Sequence, residues 1–168
     1  MLKLKVGIIT ISDRSFRGIY KDESGPILVE LVKESSAEVV KYEIIPDDKK
    51  VIVDKLMTYV DYLKLDLILT NGGTGLSERD ITPEAVREVI QKEVPGIGEY
   101  IRFKSLEKTP NAILSRTVAG VRNNSLIISF PGSPKAVKEC WEIISPVLNH
   151  AIGIIKGEKL DDKKEIKC

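Results

Sequence analysis

The chain has 168 residues, enough for one domain with a substantial core, and no shift in composition marks a second. Its 26 Lys and Arg against 25 Asp and Glu leave a formal net charge of +1, which excludes a general pull toward nucleic acid or an anionic membrane. The longest apolar runs fall far short of the roughly 18 to 20 residues that span a bilayer, no signal peptide is legible, and two cysteines with one histidine give no basis for a structural zinc site. A soluble, cytoplasmic protein is expected, in which any basic site is local.

Apolar and polar patterns alternate along the chain in the order that predicts a doubly wound α/β fold: a mostly parallel sheet with helices on both faces. Residues 6–11 read as a buried strand, because β-branched residues dominate and polar Thr10 and Ser12 come only at its end. A helix over 26–33 follows, with Ser24 as its cap, then a strand over 38–45 and a helix over 49–63 preceded by Asp47 and Asp48. A third strand, 65–70, runs into a glycine-dense loop. Thr82 then caps a helix with Pro83 in its first turn, which Pro95-Gly96 ends.

Residues 97–106 read as a further helix and 111–116 as a short one. Strands over 117–122 and 125–130 flank Asn123-Asn124, a pair suited to the positive φ of a tight hairpin turn, so a small antiparallel addition to the sheet is expected. Pro131-Gly132-Ser133-Pro134 breaks the chain before a last helical region, 135–156, interrupted at Pro146. Residues 1–156 are read as the domain and 157–168 as a charged, frayed tail.

Two loops stand out because each lies between the carboxyl end of a strand and the start of a helix, where open parallel sheets collect ligands. The first, Asn71-Gly72-Gly73-Thr74-Gly75, is neither a Walker loop, lacking Gly-Lys-Ser/Thr, nor a dinucleotide fingerprint, since Glu78 stands where the third glycine belongs. Its glycines fit a phosphate cradle and a sharp turn alike. The second, Pro131 to Lys135, repeats the arrangement. Asp47 and Asp80 fall on the same sheet edge, where two carboxylates beside a phosphate loop suit Mg²⁺. Asp47 also suits a helix start, and Asp80 a surface turn paired with Arg79. Asp13 and Asp22 read as solvated loop and cap, and His150 as a histidine at the core's edge, remote with Cys140 from the loops.

These segments resemble a known family. Thr70 to Ala85, with its GGTG-x-x-x-RD-x-TPE pattern, is joined in order by Ile11-Ser12-Asp13-Arg14, Asp22-Glu23-Ser24-Gly25-Pro26, Ile45-Pro46-Asp47-Asp48, Ala112-Ile113-Leu114-Ser115-Arg116 and Phe130-Pro131-Gly132-Ser133-Pro134. Together they are similar to the molybdopterin adenylyltransferases of molybdenum-cofactor biosynthesis. The resemblance implies a homotrimer that transfers AMP from Mg-ATP to the terminal phosphate of molybdopterin, releasing pyrophosphate. It implies catalytic and Mg²⁺-handling roles for Asp47 and Asp80, and nucleotide and phosphate binding by Gly72, Gly73, Thr74, Gly75, Gly132 and Ser133. It also raises Ser105 and Ser115, which pattern alone passes over, to pterin-binding positions. The molybdate-inserting enzyme of the pathway is an implied partner. Two alternatives stay open: another enzyme of the same superfold, for molybdate insertion or nucleotide hydrolysis, and a non-catalytic molybdopterin-binding or scaffold module.

Overall fold

In a computed structural model describing residues 3–158, six strands and six helices alternate along the chain. The sheet order is β2 (Glu38–Ile45), β1 (Lys5–Ile11), β3 (Leu67–Asn71), β6 (Ser125–Phe130), β5 (Ala119–Arg122) and β4 (Lys92–Glu93). The first four are mutually parallel, and β5 runs antiparallel to both β6 and β4. The order reverses beside β1, since the chain steps from β1 outward to β2 and then back across to β3. The switch point therefore lies between the carboxyl ends of β1 and β3.

Strand periodicity builds the two cores. Val6 and Ile8, Leu67 and Leu69, Leu126 and Ile128 face one side, where α2 (Ser24–Glu34), α5 (Pro95–Leu106) and α6 (Pro134–Ile155) cover them with Leu28, Val32, Ile101, Trp141, Ile144 and Leu148. Ile9, Ile11, Ile68 and Ile127 face the other, under α3 (Lys49–Met57) and α4 (Thr82–Val89) with Ile52, Leu56, Val86 and Val89. Both faces are thus dry, which is why these strands are apolar throughout.

Several local expectations change. A one-turn helix α1 (Asp13–Phe16) follows β1 where a loop was expected, capped by Ser12, and α3 ends in a π-helical turn, Thr58–Tyr62. Ser24 is the first residue of α2 and not its cap; Asp22 Oδ1 accepts from the N–H of Ser24 and Gly25 at 3.0 and 3.1 Å. Thr82 likewise begins α4 and spends its hydroxyl elsewhere. Pro95 starts α5 instead of ending the preceding helix. The hairpin forms as expected, with Asn123 alone of the pair at positive φ, 50°; the two-residue strand β4 then extends it.

Helix α6 is continuous through Pro146. Proline there removes a bond to the Glu142 carbonyl, but both residues are on the solvent side, while Trp141, Ile144 and Leu148 anchor the opposite face. His150 is exposed and not at the core's edge, because it shares the outward face with Val147. Of the expected tail, Gly157 and Glu158 are described and 159–168 lie outside the described residues.

Gly7 shows how tightly the second core is closed. A Cβ there would overlap the Tyr59 ring and come within 2.6 Å of Leu65 Cδ1. Both side chains are fully buried. Gly7→Ala is expected to destabilise the protein by about 1–3 kcal/mol through overpacking, read as a lower urea midpoint; an unchanged midpoint would mean Tyr59 and Leu65 yield without cost.

Candidate active site

At the switch point the backbones of three strand ends come together. Gly72 has φ of 100°, and a Cβ on it would run into the Ile11 carbonyl. A Cβ on Gly132 would lie 3.1 Å from Gly72 Cα. The Gly72 N–H donates to Phe130 O at 3.1 Å, and Thr82 Oγ1 donates to Gly72 O at 2.9 Å, so the start of α4 holds the glycine loop from beneath. Ser24 Oγ, buried, donates to Gly132 O at 2.7 Å and ties the start of α2 to the second loop. Around these contacts opens a crevice of about 400 Å³, lined by Thr10, Ser12, Asp22, Asn71, Gly72 and Ser133 among others.

Three aspartates ring the glycine loop. Asp13 and Asp47 exchange hydrogen bonds, the Asp13 N–H donating to Asp47 Oδ2 at 2.8 Å and the Asp47 N–H to Asp13 Oδ1 at 3.1 Å. Asp48, and not Asp47, caps α3, accepting from the Val51 N–H, so Asp47 is free of the structural duty its position suggested. Arg79 pairs with Asp13 and not with its neighbour Asp80. Asp80 is instead held by Ser77, whose N–H and hydroxyl donate to Oδ2 at 2.9 and 2.7 Å.

These contacts push the carboxyls in opposite directions. Burial raises Asp47 above the usual range and, with the charges of Asp13 and Asp80, outweighs the Asp13 N–H and the Arg79 guanidinium that act the other way. Burial acts the same way on Asp80, but the Ser77 donors, the Gly75 N–H and the Arg116 guanidinium outweigh it and hold Asp80 low. Arg79 and the Asp47 N–H do likewise for Asp13 against burial. Asp47 is therefore the one of the three whose ionisation its surroundings oppose.

A second cavity, about 290 Å³, lies between α5, the 3₁₀ turn Pro110–Leu114 and the start of α6. Ser105 and Ser115 both line it, brought together by that turn although ten positions apart, and Ser133 lines it as well. Ser133 thus borders both cavities, while also capping α6 through the Ala136 N–H at 3.2 Å. Cys140 lines the second cavity, and burial pushes its thiol up to about 12, so it serves as apolar wall and not as a nucleophile. A roomier cavity of about 570 Å³ near Lys3, Lys33 and Asn149 lies away from these loops.

Arg116 is the residue that sequence reasoning missed. Its Nε donates to Gly75 O at 2.7 Å, its Nη2 to Asp80 O, its Nη1 pairs with Glu84, and its N–H donates to Thr74 O at 3.1 Å. Thr74 and Gly75 are so fixed from the β5 side. The only sequence signal was its place directly after Ser115.

A doubly wound α/β protein with an acidic, glycine-walled crevice at its switch point is the class that this geometry defines. The sequence family described as "Probable molybdopterin binding domain" matches residues 7–150. The molybdopterin adenylyltransferase of Helicobacter pylori strain J99 is 42% identical over 171 aligned residues, covering 100% of this chain and 97% of that protein. The Drosophila melanogaster molybdenum cofactor synthesis protein cinnamon is 44% identical over 92% of this chain, which spans 26% of its length. The crystal structure of the molybdopterin biosynthesis enzyme MoaB from Thermus thermophilus superposes with a TM-score of 0.88 at 47% identity, over 94% of this chain and 99% of that one. The chain belongs to the molybdenum-cofactor biosynthesis family. Among the described residues no helix is long and apolar enough to cross a membrane.

The raised Asp47 gives a testable sign. A carboxyl whose folded pKa lies above its ordinary value of 3.8 contributes stability when protonated and loses it as pH rises through the folded value. Asp47→Asn keeps an acceptor for the Asp13 N–H while removing that charge. At pH 7 the variant is expected to melt at or above the wild-type temperature in scanning calorimetry, with the difference vanishing below pH 3.8, where Asp47 is itself protonated. A clear drop in melting temperature at pH 7 would contradict this.

Proposed function

We propose that this chain is a molybdopterin adenylyltransferase, transferring AMP from Mg-ATP to the terminal phosphate of molybdopterin during molybdenum-cofactor biosynthesis. The observation that carries the reading is the shared wall at Ser133: the crevice at the strand ends and the cavity bearing Ser105 and Ser115 are adjacent, as a transfer between two bound substrates requires. Full-length similarity to adenylyltransferases supports the chemistry.

In this reading the nucleotide occupies the crevice, with its phosphates against Gly72, Gly73, Thr74 and Gly75 and against Gly132 and Ser133. Because the Gly72 N–H is already given to Phe130 O, Gly72 acts by letting the loop approach. The pterin lies in the second cavity with Ser105 and Ser115. A phosphate oxygen of molybdopterin forms the new bond to the α-phosphorus, the bond to the β-phosphate bridge breaks, and pyrophosphate leaves with the electron pair. Two anions must approach each other, so positioning and charge neutralisation are the catalytic needs.

Asp47 and Asp80 are the residues that would hold Mg²⁺. The fit rests on Asp47, whose ionisation burial and two neighbouring carboxylates oppose. Among the described residues no group of three or more His, Cys, Asp or Glu could hold a metal alone, which suits an ion that shares its ligands with substrate phosphates and water. Such an ion, when bound, offsets phosphate charge in the transition state.

Asp80→Asn is expected to fold normally and to lose AMP transfer by about a hundredfold or more, measured as pyrophosphate release with Mg-ATP and molybdopterin. Wild-type turnover in the variant would remove Asp80 from the mechanism, and molybdopterin binding by the wild type without product would favour a non-catalytic module. The reading also carries the family's homotrimer and a cytoplasmic setting. Exposed Tyr100 and Phe103 on α5, with Ile113 and Leu114 on the 3₁₀ turn, offer apolar surface for such an assembly. Light scattering should give three times the 18.7 kDa chain mass; a monomer at micromolar concentration would count against it.

A further inference from the structure

The cavity that holds Ser105 and Ser115 contains one carboxylate among the described residues, that of Glu139. It projects from α6 beside Ala136 and Cys140, on the face set by i, i+3 and i+4 spacing, so the helix presents an acid within an otherwise small and apolar stripe. Its side chain is 15% exposed. Its partner is Lys108, with Nζ 3.3 Å from Oε1, but Lys108 is about half exposed, and an ion pair so open to solvent compensates little of the cost of burying a carboxylate. Oε2 has no partner among the described residues.

Arg102, the other charged side chain at this wall, spends Nη1 on the carbonyls of Ser115 and Thr117 at 3.3 and 3.2 Å, which fixes the cavity floor. Ile101, Ala112 and Ala136 supply apolar walls. A cavity of about 290 Å³ with such walls and one under-compensated carboxylate fits a flat heterocycle that offers N–H donors in a row.

Resting on the transferase reading above, we propose that Glu139 is the residue that selects the substrate's ring, its carboxylate accepting two parallel hydrogen bonds from the 2-amino group and the adjacent ring N–H of a 2-amino-4-oxo-pteridine. A 2,4-dioxo-pteridine of the same shape offers an oxygen where the amino group stood. It would set that oxygen against the carboxylate, and the site rejects it. Lys108 positions Glu139 through Oε1 and contributes nothing to the choice of ring.

The test uses the full chain and two fluorescent probes, 6-hydroxymethylpterin and the matching 2,4-dioxo compound 6-hydroxymethyllumazine. Wild type should bind the pterin about tenfold to a hundredfold more tightly than the lumazine, and Glu139→Gln should lose most of that ratio through weaker pterin binding. Lys108→Met should retain the ratio. In the adenylylation assay Glu139→Gln should raise KM for molybdopterin about tenfold or more and leave KM for ATP unchanged. Unaltered discrimination in a folded Glu139→Gln protein, with normal circular dichroism, would overturn the assignment, as would equal wild-type affinity for the two probes. Ring discrimination by a wild-type protein that transfers no AMP would overturn the transferase reading and leave Glu139's role standing.

Discussion

Everything at the sheet's carboxyl edge depends on three backbones lying closer together than side chains would permit. Gly72 crosses the Ile11 carbonyl, and Gly132 comes up against Gly72 from the other side. A residue with a Cβ at Gly72 would meet both a hard clash and an unfavourable φ. That contact sets the depth of the crevice, and two buried hydroxyls secure it from opposite sides of the sheet, Thr82 on the glycine loop and Ser24 on the second loop. Helices α2 and α4 therefore serve the site with their first residues and the core with the rest.

Charge is distributed unevenly over that frame. Asp13 is occupied by Arg79, and Asp80 by Ser77 and the field of Arg116, so both are settled as anions by the protein itself. Asp47 has a backbone donor in direct contact, the Arg79 guanidinium in its field, and two like charges nearby, and burial still leaves it raised. Keeping one carboxyl raised while its neighbours are held low costs stability locally at a pH where all three are ionised. The arrangement separates two carboxylates that the protein itself settles as anions from a third that it does not.

The sheet was legible because β-branched runs covered on both faces leave little choice, and the hairpin because two asparagines sat between two such runs. The misreadings came where residue type suggested a local duty that tertiary structure assigned elsewhere. Ser24 and Thr82 have the chemistry of caps, yet their hydroxyls reach Gly132 and Gly72, 108 and 10 positions away. Pro146 should break a helix, but its missing bond falls on the wet face of one held by a continuous buried stripe. Ser105 and Ser115 had no pattern signal, since only the intervening 3₁₀ turn brings them to one wall. Arg116 was passed over because its four partners lie on three separate segments.

That arginine also joins the two halves of the site mechanically. Ser115 lines the second cavity, while the next residue grips Thr74, Gly75 and the Asp80 carbonyl. Arg102 pins the carbonyls of Ser115 and Thr117 on either side of it. The 115–117 backbone thus connects the wall of the second cavity to the braced glycine loop through consecutive residues.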